Sequence, residues 1–149
     1  MNQQQTYDIR QLMIRDLVEF MKAEGHTVHA AQGVEGYKIP SVVHNDGYGQ
    51  ARDRRPDVVG FDFRHKRILF GIARPDRRSI DTEEALEEYN VFLDHNAGLR
   101  DQASMLYVMV PEELVQEFTT MITHYIHRDY WHRVVTVGWK PRGDSNGDS

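Results

Sequence analysis

The chain has no cysteine. Disulfides and thiolate-ligated metal centres are therefore excluded, and a cytoplasmic setting is the expectation. It also lacks any apolar run near the ~20 residues that a bilayer-crossing helix requires, so no membrane association is expected. The opening MNQQQTYD has no basic segment followed by an apolar one and does not read as a secretory signal. A large positive excess is missing too. Formal net charge is -5, so the whole-chain basic footprint common among nucleic-acid binders is absent.

What is present is the composition of a globular protein. The 149 residues are 40% hydrophobic and 28% charged, enough for one domain with a core and too few for two. One domain is expected over residues 1–139. The polar, glycine-bearing KPRGDSNGDS at 140–149 is expected to be a disordered tail. Charge is unevenly spread: nine Arg and Lys fall within 52–78, and five acids within 81–88. A basic face on an acidic protein can meet phosphate, and a solvated surface of mixed sign accounts for the same residues.

Ile9, Met13, Leu17, Phe20 and Met21 recur at helical spacing and predict a first helix over 7–24, with Gly25 as its left-handed cap. Residues 26–31 alternate around Val28 and predict a strand. Glycines then punctuate an irregular stretch in which IPSVVH offers an edge strand. Strands follow at 57–63 and 67–73, joined by a tight connection at RHK. Asp81-Thr82-Glu83-Glu84 predicts a helix start with Asp81 as cap, followed by the apolar stripe Ala85, Leu86, Tyr89, Phe92 and Leu93. The continuous apolar run 104–110 predicts a strand covered on both faces. Pro111-Glu112-Glu113 opens a third helix with the stripe Leu114, Val115, Phe118, Met121, Ile122, Tyr125 and Ile126; 133–139 alternates as a last strand. The order α-β-β-β-α-β-α-β predicts an α/β fold, a mixed sheet with helices on both faces.

Metal-dependent phosphodiester hydrolysis needs carboxylates that converge on a divalent cation, with a cation or base beside the phosphate. An acid heading one strand, and an acid and a lysine two residues apart on the next, can supply both on one face. Pro56-Asp57 stands ahead of the apolar VVGF, and Gly71-Ile72-Ala73-Arg74 lies on the following strand. In these residues, and in Asp81-Thr82-Glu83 and Glu24-Gly25-His26, the chain resembles the PD-(D/E)xK nuclease superfamily over residues 7–110. The resemblance implies a restriction-endonuclease-like core, Mg²⁺ as the cofactor of an active member and DNA as substrate. It places Asp57 and Arg74 in the catalytic positions.

The departures from that pattern bear on chemistry. Ile72 stands where members often carry the second acid, and Arg74 where they carry lysine. Arginine keeps the charge and can clamp phosphate, but it does not give up its proton to serve as a base. The first-helix glutamate of many members falls near Ile14, with Asp16 at the rim of the apolar face and Glu19 turned away. A second-helix glutamine falls at Ala85. One carboxylate holds Mg²⁺ weakly. The candidate metal set is therefore Asp57 with Asp62, re-aimed by a bulge at Gly60, and Asp76.

The leading functional reading is a divergent nuclease-like protein, impaired in catalysis, that retains a role in binding nucleic acid or protein. Arg52, Arg54, Arg55, Lys66, Arg77 and Arg78 are its candidate nucleic-acid contacts, and the loop at 47–56 would flank the groove. An active Mg²⁺-dependent DNA endonuclease with migrated ligands is the first alternative. A non-enzymatic assembly module, a homodimer joined through 130–139, is the second. His124 and His127 share a helix face, but His132 lies beyond the helix end, so no zinc site is expected. Tyr130, Trp131 and Trp139 are placed either to stack bases or to seal a core or interface.

Overall fold

The computed structural model describes residues 2–44, 53–95 and 102–141. Arg52, the glycines at 47 and 49, and the tail from 142 onward lie outside the described residues. The order is helix α1 (Gln3–Ala23), strands β1 (Thr27–Ala31), β2 (Val58–Asp62) and β3 (Arg67–Ala73), helix α2 (Glu83–Asp94), strand β4 (Met105–Pro111), helix α3 (Val115–Tyr125) and strand β5 (Val134–Trp139), with short 3₁₀ turns at Arg77–Ser79, Glu112–Leu114 and Arg128–Arg133. The chain is thus mixed α/β, with a five-stranded mixed sheet flanked by helices. No described helix is long and apolar enough to cross a membrane.

The strands lie in the order β1-β2-β3-β4-β5. β1, β2 and β3 pair antiparallel, whereas β3-β4 and β4-β5 pair parallel. The switch follows from the connections. A short turn joins β2 to β3, and whole helices carry the chain from β3 to β4 and from β4 to β5, as parallel neighbours require. β4 is apolar along its length because both its faces are covered. Leu106, Val108 and Val110 pack toward α2 and α3, while Tyr107 and Met109 join α1 in a second cluster.

Several local expectations change. α1 begins at Gln3 rather than at residue 7, because Asn2 forms a capping box. Its Oδ1 accepts from the Gln5 amide at 2.8 Å and its own amide donates to the Gln5 side chain at 3.0 Å. The cap of α2 is Thr82, not Asp81, with the Ala85 amide donating to its Oγ1 at 3.0 Å. IPSVVH forms no strand; Lys38 and Val43 make only isolated bridges, to Ala30 and Arg54. The irregularity in β1-β2 pairing lies between Val28 and Ala30, while β2-β3 pairing is unbroken through Gly60, so no bulge there turns Asp62. Tyr125 is exposed rather than core, at the last residue of α3. Gly25 does take the left-handed conformation, φ 92°.

Gly71 sets how closely α1 lies on the sheet. A Cβ there would come within 2.9 Å of Leu17 Cδ2 and 3.1 Å of Val58 Cβ. Gly71→Val is expected to cost about 1–3 kcal/mol by overpacking, read as a lower urea midpoint. A midpoint equal to the wild type would mean that α1 moves away from β3 freely.

Candidate functional site

Antiparallel pairing brings the head of β2 beside the end of β3. The Asp57 amide donates to Gly71 O at 2.9 Å, which extends the ladder by one residue and seats the carboxylate beside Ala73. Asp57 is 4% exposed. Its Oδ2 accepts from the Ala73 amide at 2.9 Å, and its Oδ1 accepts from the guanidinium of Arg10 on α1. Arg74 leaves the end of β3 toward α2, where it pairs with Glu88 and lies 5.3 Å from the centre of the Tyr89 ring. Arg54, 8% exposed, reaches the same helix and bonds Glu84 at 3.1 Å and Glu87 at 2.9 Å. The site is a chain of alternating charges, Arg10, Asp57, Arg74, Glu88 and Arg54, that links α1, the sheet and α2.

Burial pushes the Asp57 carboxyl above its usual range, although Arg10, the Ala73 amide and Arg74 all act against it. Glu88 is also raised, first by burial; Arg74 opposes the shift and the Asp57 charge adds to it. The two carboxyls are therefore close enough to sense one another. Tyr89, buried beside them, is pushed up to about 12 by desolvation and donates its hydroxyl to Ile80 O at 2.7 Å.

A divalent cation does not fit these residues. Mg²⁺ wants several free oxygens, yet both Asp57 oxygens are engaged by protein donors. Ile72, 2% exposed, packs with Phe70, Phe92 and Val108 and offers no ligand. Among the described residues, no group of three or more His, Asp or Glu is placed to hold a metal ion.

The other expected site residues disperse. Asp62 sits at the far end of β2. It accepts from the Arg64 and His65 amides at 3.0 and 3.2 Å and meets His65 Nδ1 at 2.8 Å, pinning the hairpin turn. Burial would raise its carboxyl, but the His65 bonds outweigh that and hold it below the usual range. Asp76 caps the turn Arg77–Ser79 through the Ser79 amide, 3.0 Å away. Arg55 donates to Pro40 O, and Arg77 bonds Glu117 at 2.7 Å. Lys66 and Arg78 are exposed. Trp139 is 8% exposed and donates to Asp16 at 2.8 Å, so it closes the core rather than offering a stacking surface.

Two members of the site escape the motif reading, Arg10 and Glu88. Both carry a readable signal, a charge set on a buried stripe. Arg10 stands one helical turn ahead of Ile14 on the α1 face that continues through Leu17 and Met21, and Glu88 lies between Ala85 and Phe92 next to Tyr89. Compared with protein-family models, with curated proteins and with solved structures, the chain matches none.

Proposed function

We propose that this chain is a restriction-endonuclease-like protein whose cutting centre has become a metal-free ion-pair core, and that it binds nucleic acid without cleaving it. The carrying observation is the occupation of Asp57: one oxygen meets Arg10, the other the Ala73 amide, and the neighbouring strand contributes Ile72 where a second acid would be needed. The element order, the antiparallel β1-β2-β3 unit and the parallel crossover through α2 support the nuclease-like reading. Arg54, Arg55 and Arg77 already have partners within the protein. Phosphate contacts then fall to other cations.

The test is direct. Linear, supercoiled and branched DNA, incubated with the protein and Mg²⁺ or Mn²⁺, should remain intact, and calorimetric titration with Mn²⁺ should show no binding at millimolar metal. Metal-dependent cleavage that disappears in Asp57→Ala would overturn the proposal. A second reading, an active enzyme with a migrated ligand, draws on the place of Glu88, which pairs with Arg74 and whose carboxyl is raised by burial and, in part, by Asp57. It requires Arg10 and Arg74 to release both carboxylates, and it predicts Mn²⁺ binding that is lost in Glu88→Gln.

A further inference from the structure

We infer that the open sheet face running from the β2-β3 hairpin toward Arg54 is a docking groove for single-stranded nucleic acid, with bases stacking on Phe63 and Phe61. The inference rests on the binding role proposed above and names its surface and its ligand.

Among the described residues, α2 and α3 cover this face of the sheet only in part. Phe70 lies against Phe92 of α2, ring centres 5.2 Å apart, and marks where cover ends. Beyond it opens a cavity of about 470 Å³ walled by Val43, Val59, Ile68 and Phe70. A second, of about 440 Å³, shares Ile68 and continues along Phe61 and Phe63. The rings fall in two sets. His29 meets Phe61 at 6.5 Å, Phe61 meets Phe63 at 4.7 Å, and Phe70 meets His95 at 5.4 Å, all edge-on. Phe63 is 64% exposed, a large apolar ring left at the surface by the described residues.

Charge points the same way. The described lining residues include Lys38 and Lys66 and no Asp or Glu, on a chain whose net charge is -5. His44, also in the lining, is engaged by Asp53 at 2.9 Å, so the two lysines carry the argument. An exposed ring beside Lys66, with Lys38 further along the same face, suits a ligand that is anionic along its backbone and flat and apolar along its side, which describes an unpaired strand. A duplex would bring phosphates to the lysines but keep its bases from Phe63. An acidic peptide would use the lysines and leave the rings idle. At its inner end, Val43 bridges to Arg54, so a bound strand would run up to the ion-pair core.

The experiment is fluorescence anisotropy with a labelled mixed-sequence oligonucleotide in metal-free buffer containing chelator, which keeps cleavage out of the measurement. The single strand should bind, and the same sequence as a duplex should bind more weakly. Phe63→Ala should weaken single-strand binding roughly tenfold, the scale of one lost base–aromatic stack. Lys66→Gln should reduce the slope of log affinity against log salt by about 0.7, one phosphate contact. Lys22→Gln on α1 should change neither. Phe63 is exposed, and thermal melts of Phe63→Ala should match the wild type. The inference fails if the single strand does not bind, if Phe63→Ala binds it equally well, if the duplex binds as tightly, if polyglutamate displaces it, or if Phe63 instead mediates a dimer. None of these outcomes bears on the non-cutting reading, which the cleavage and Mn²⁺ assays decide separately.

Discussion

Arg10→Ala is expected to destabilise the protein by about 2–3 kcal/mol at neutral pH, and by progressively less as the pH falls. Removing one partner of a buried ion pair costs about 3–5 kcal/mol when the remaining charge is left dry. The lower figure applies here because the Arg10 side chain is 37% exposed, so water can replace part of what it supplied. Asp57, with 6% of its side chain exposed, cannot leave. The pH dependence follows from the direction of its shift. In the folded state the Asp57 carboxyl is already raised above its unfolded value by burial, against the pull of Arg10. Its ionisation therefore works against folding. Stability is greatest below the unfolded carboxyl range and is lost as pH rises through the folded value. Without Arg10 the folded value climbs further, so the deficit should be larger at pH 8 than at pH 5. Glu88 is raised too and gives a slope of the same sign in the wild type. Asp57→Asn isolates the contribution. Urea melts of Arg10→Ala, Asp57→Asn and the double variant at both pH values form a cycle, in which the double variant should recover much of the loss at pH 8. A deficit equal at pH 5 and pH 8, or no recovery, would show that Arg10 does not hold Asp57.

Arg133→Met is expected to lower stability by about 3–5 kcal/mol, mostly by stranding buried carbonyls at roughly 1–3 kcal/mol each. Arg133 is 4% exposed. Its guanidinium donates to Ser104 O at 2.6 Å and to Leu93 O at 2.9 Å, and lies 4.7 Å from the centre of the Tyr130 ring. Leu93 O is one of the last carbonyls of α2, which lack partners within the helix. The Ser104 hydroxyl shares its single proton between Phe92 O and the C-cap carbonyl of His95. A cation at a helix C-terminus also suits the helix dipole. Burial lowers the Arg133 pKa, but methionine relieves that cost only by leaving Leu93 and Ser104 unbonded. A chain of this size loses about 2–4 °C of melting temperature per kcal/mol, so a drop on the order of 10 °C is expected. Arg133→Lys should restore little, because an ammonium cannot reproduce a fork that reaches two carbonyls. A shift of under about 3 °C would mean that water reaches these carbonyls once the guanidinium is gone. The same clamp steadies α2, the helix that brings Glu84, Glu87 and Glu88 to the ion-pair core.

The order of elements was readable in the sequence because each has a local cause. The 3.6-residue stripes of α1 and α2, the unbroken apolar run of β4 and Gly25 after α1 all act within a few residues. The start of α1 was readable in principle too, since Asn2 and Gln5 stand in capping-box spacing, but no apolar periodicity announces that turn. The positions of Asp57 and Arg74 also follow from local pattern. Their partners do not. Arg10 lies 47 residues from Asp57, and Arg54 lies 30 and 33 residues from the acids it bonds. Composition shows that arginines and acids are abundant, but only the approach of α1 and α2 to the sheet decides which guanidinium meets which carboxylate. The basic stretch at 52–78 reads as a phosphate surface for that reason, whereas tertiary packing pairs Arg54 and Arg77 with acids and ties Arg55 to the Pro40 carbonyl.

The hydrogen bond from Trp139 to Asp16 spans 123 residues. It joins β5 to α1, so the α1 side of the sheet is completed by a strand synthesised 123 residues after the helix it meets. Contacts of such separation slow folding, because the loop entropy is lost before the contact repays it. A growing chain would leave one edge of β4 unpaired until β5 emerges, and an open strand edge makes such an intermediate prone to aggregation. Trp139 also provides a way to watch this step. It is the buried one of the two tryptophans, with Trp131 40% exposed, so the blue shift of its emission times the moment when the two ends of the fold close on each other.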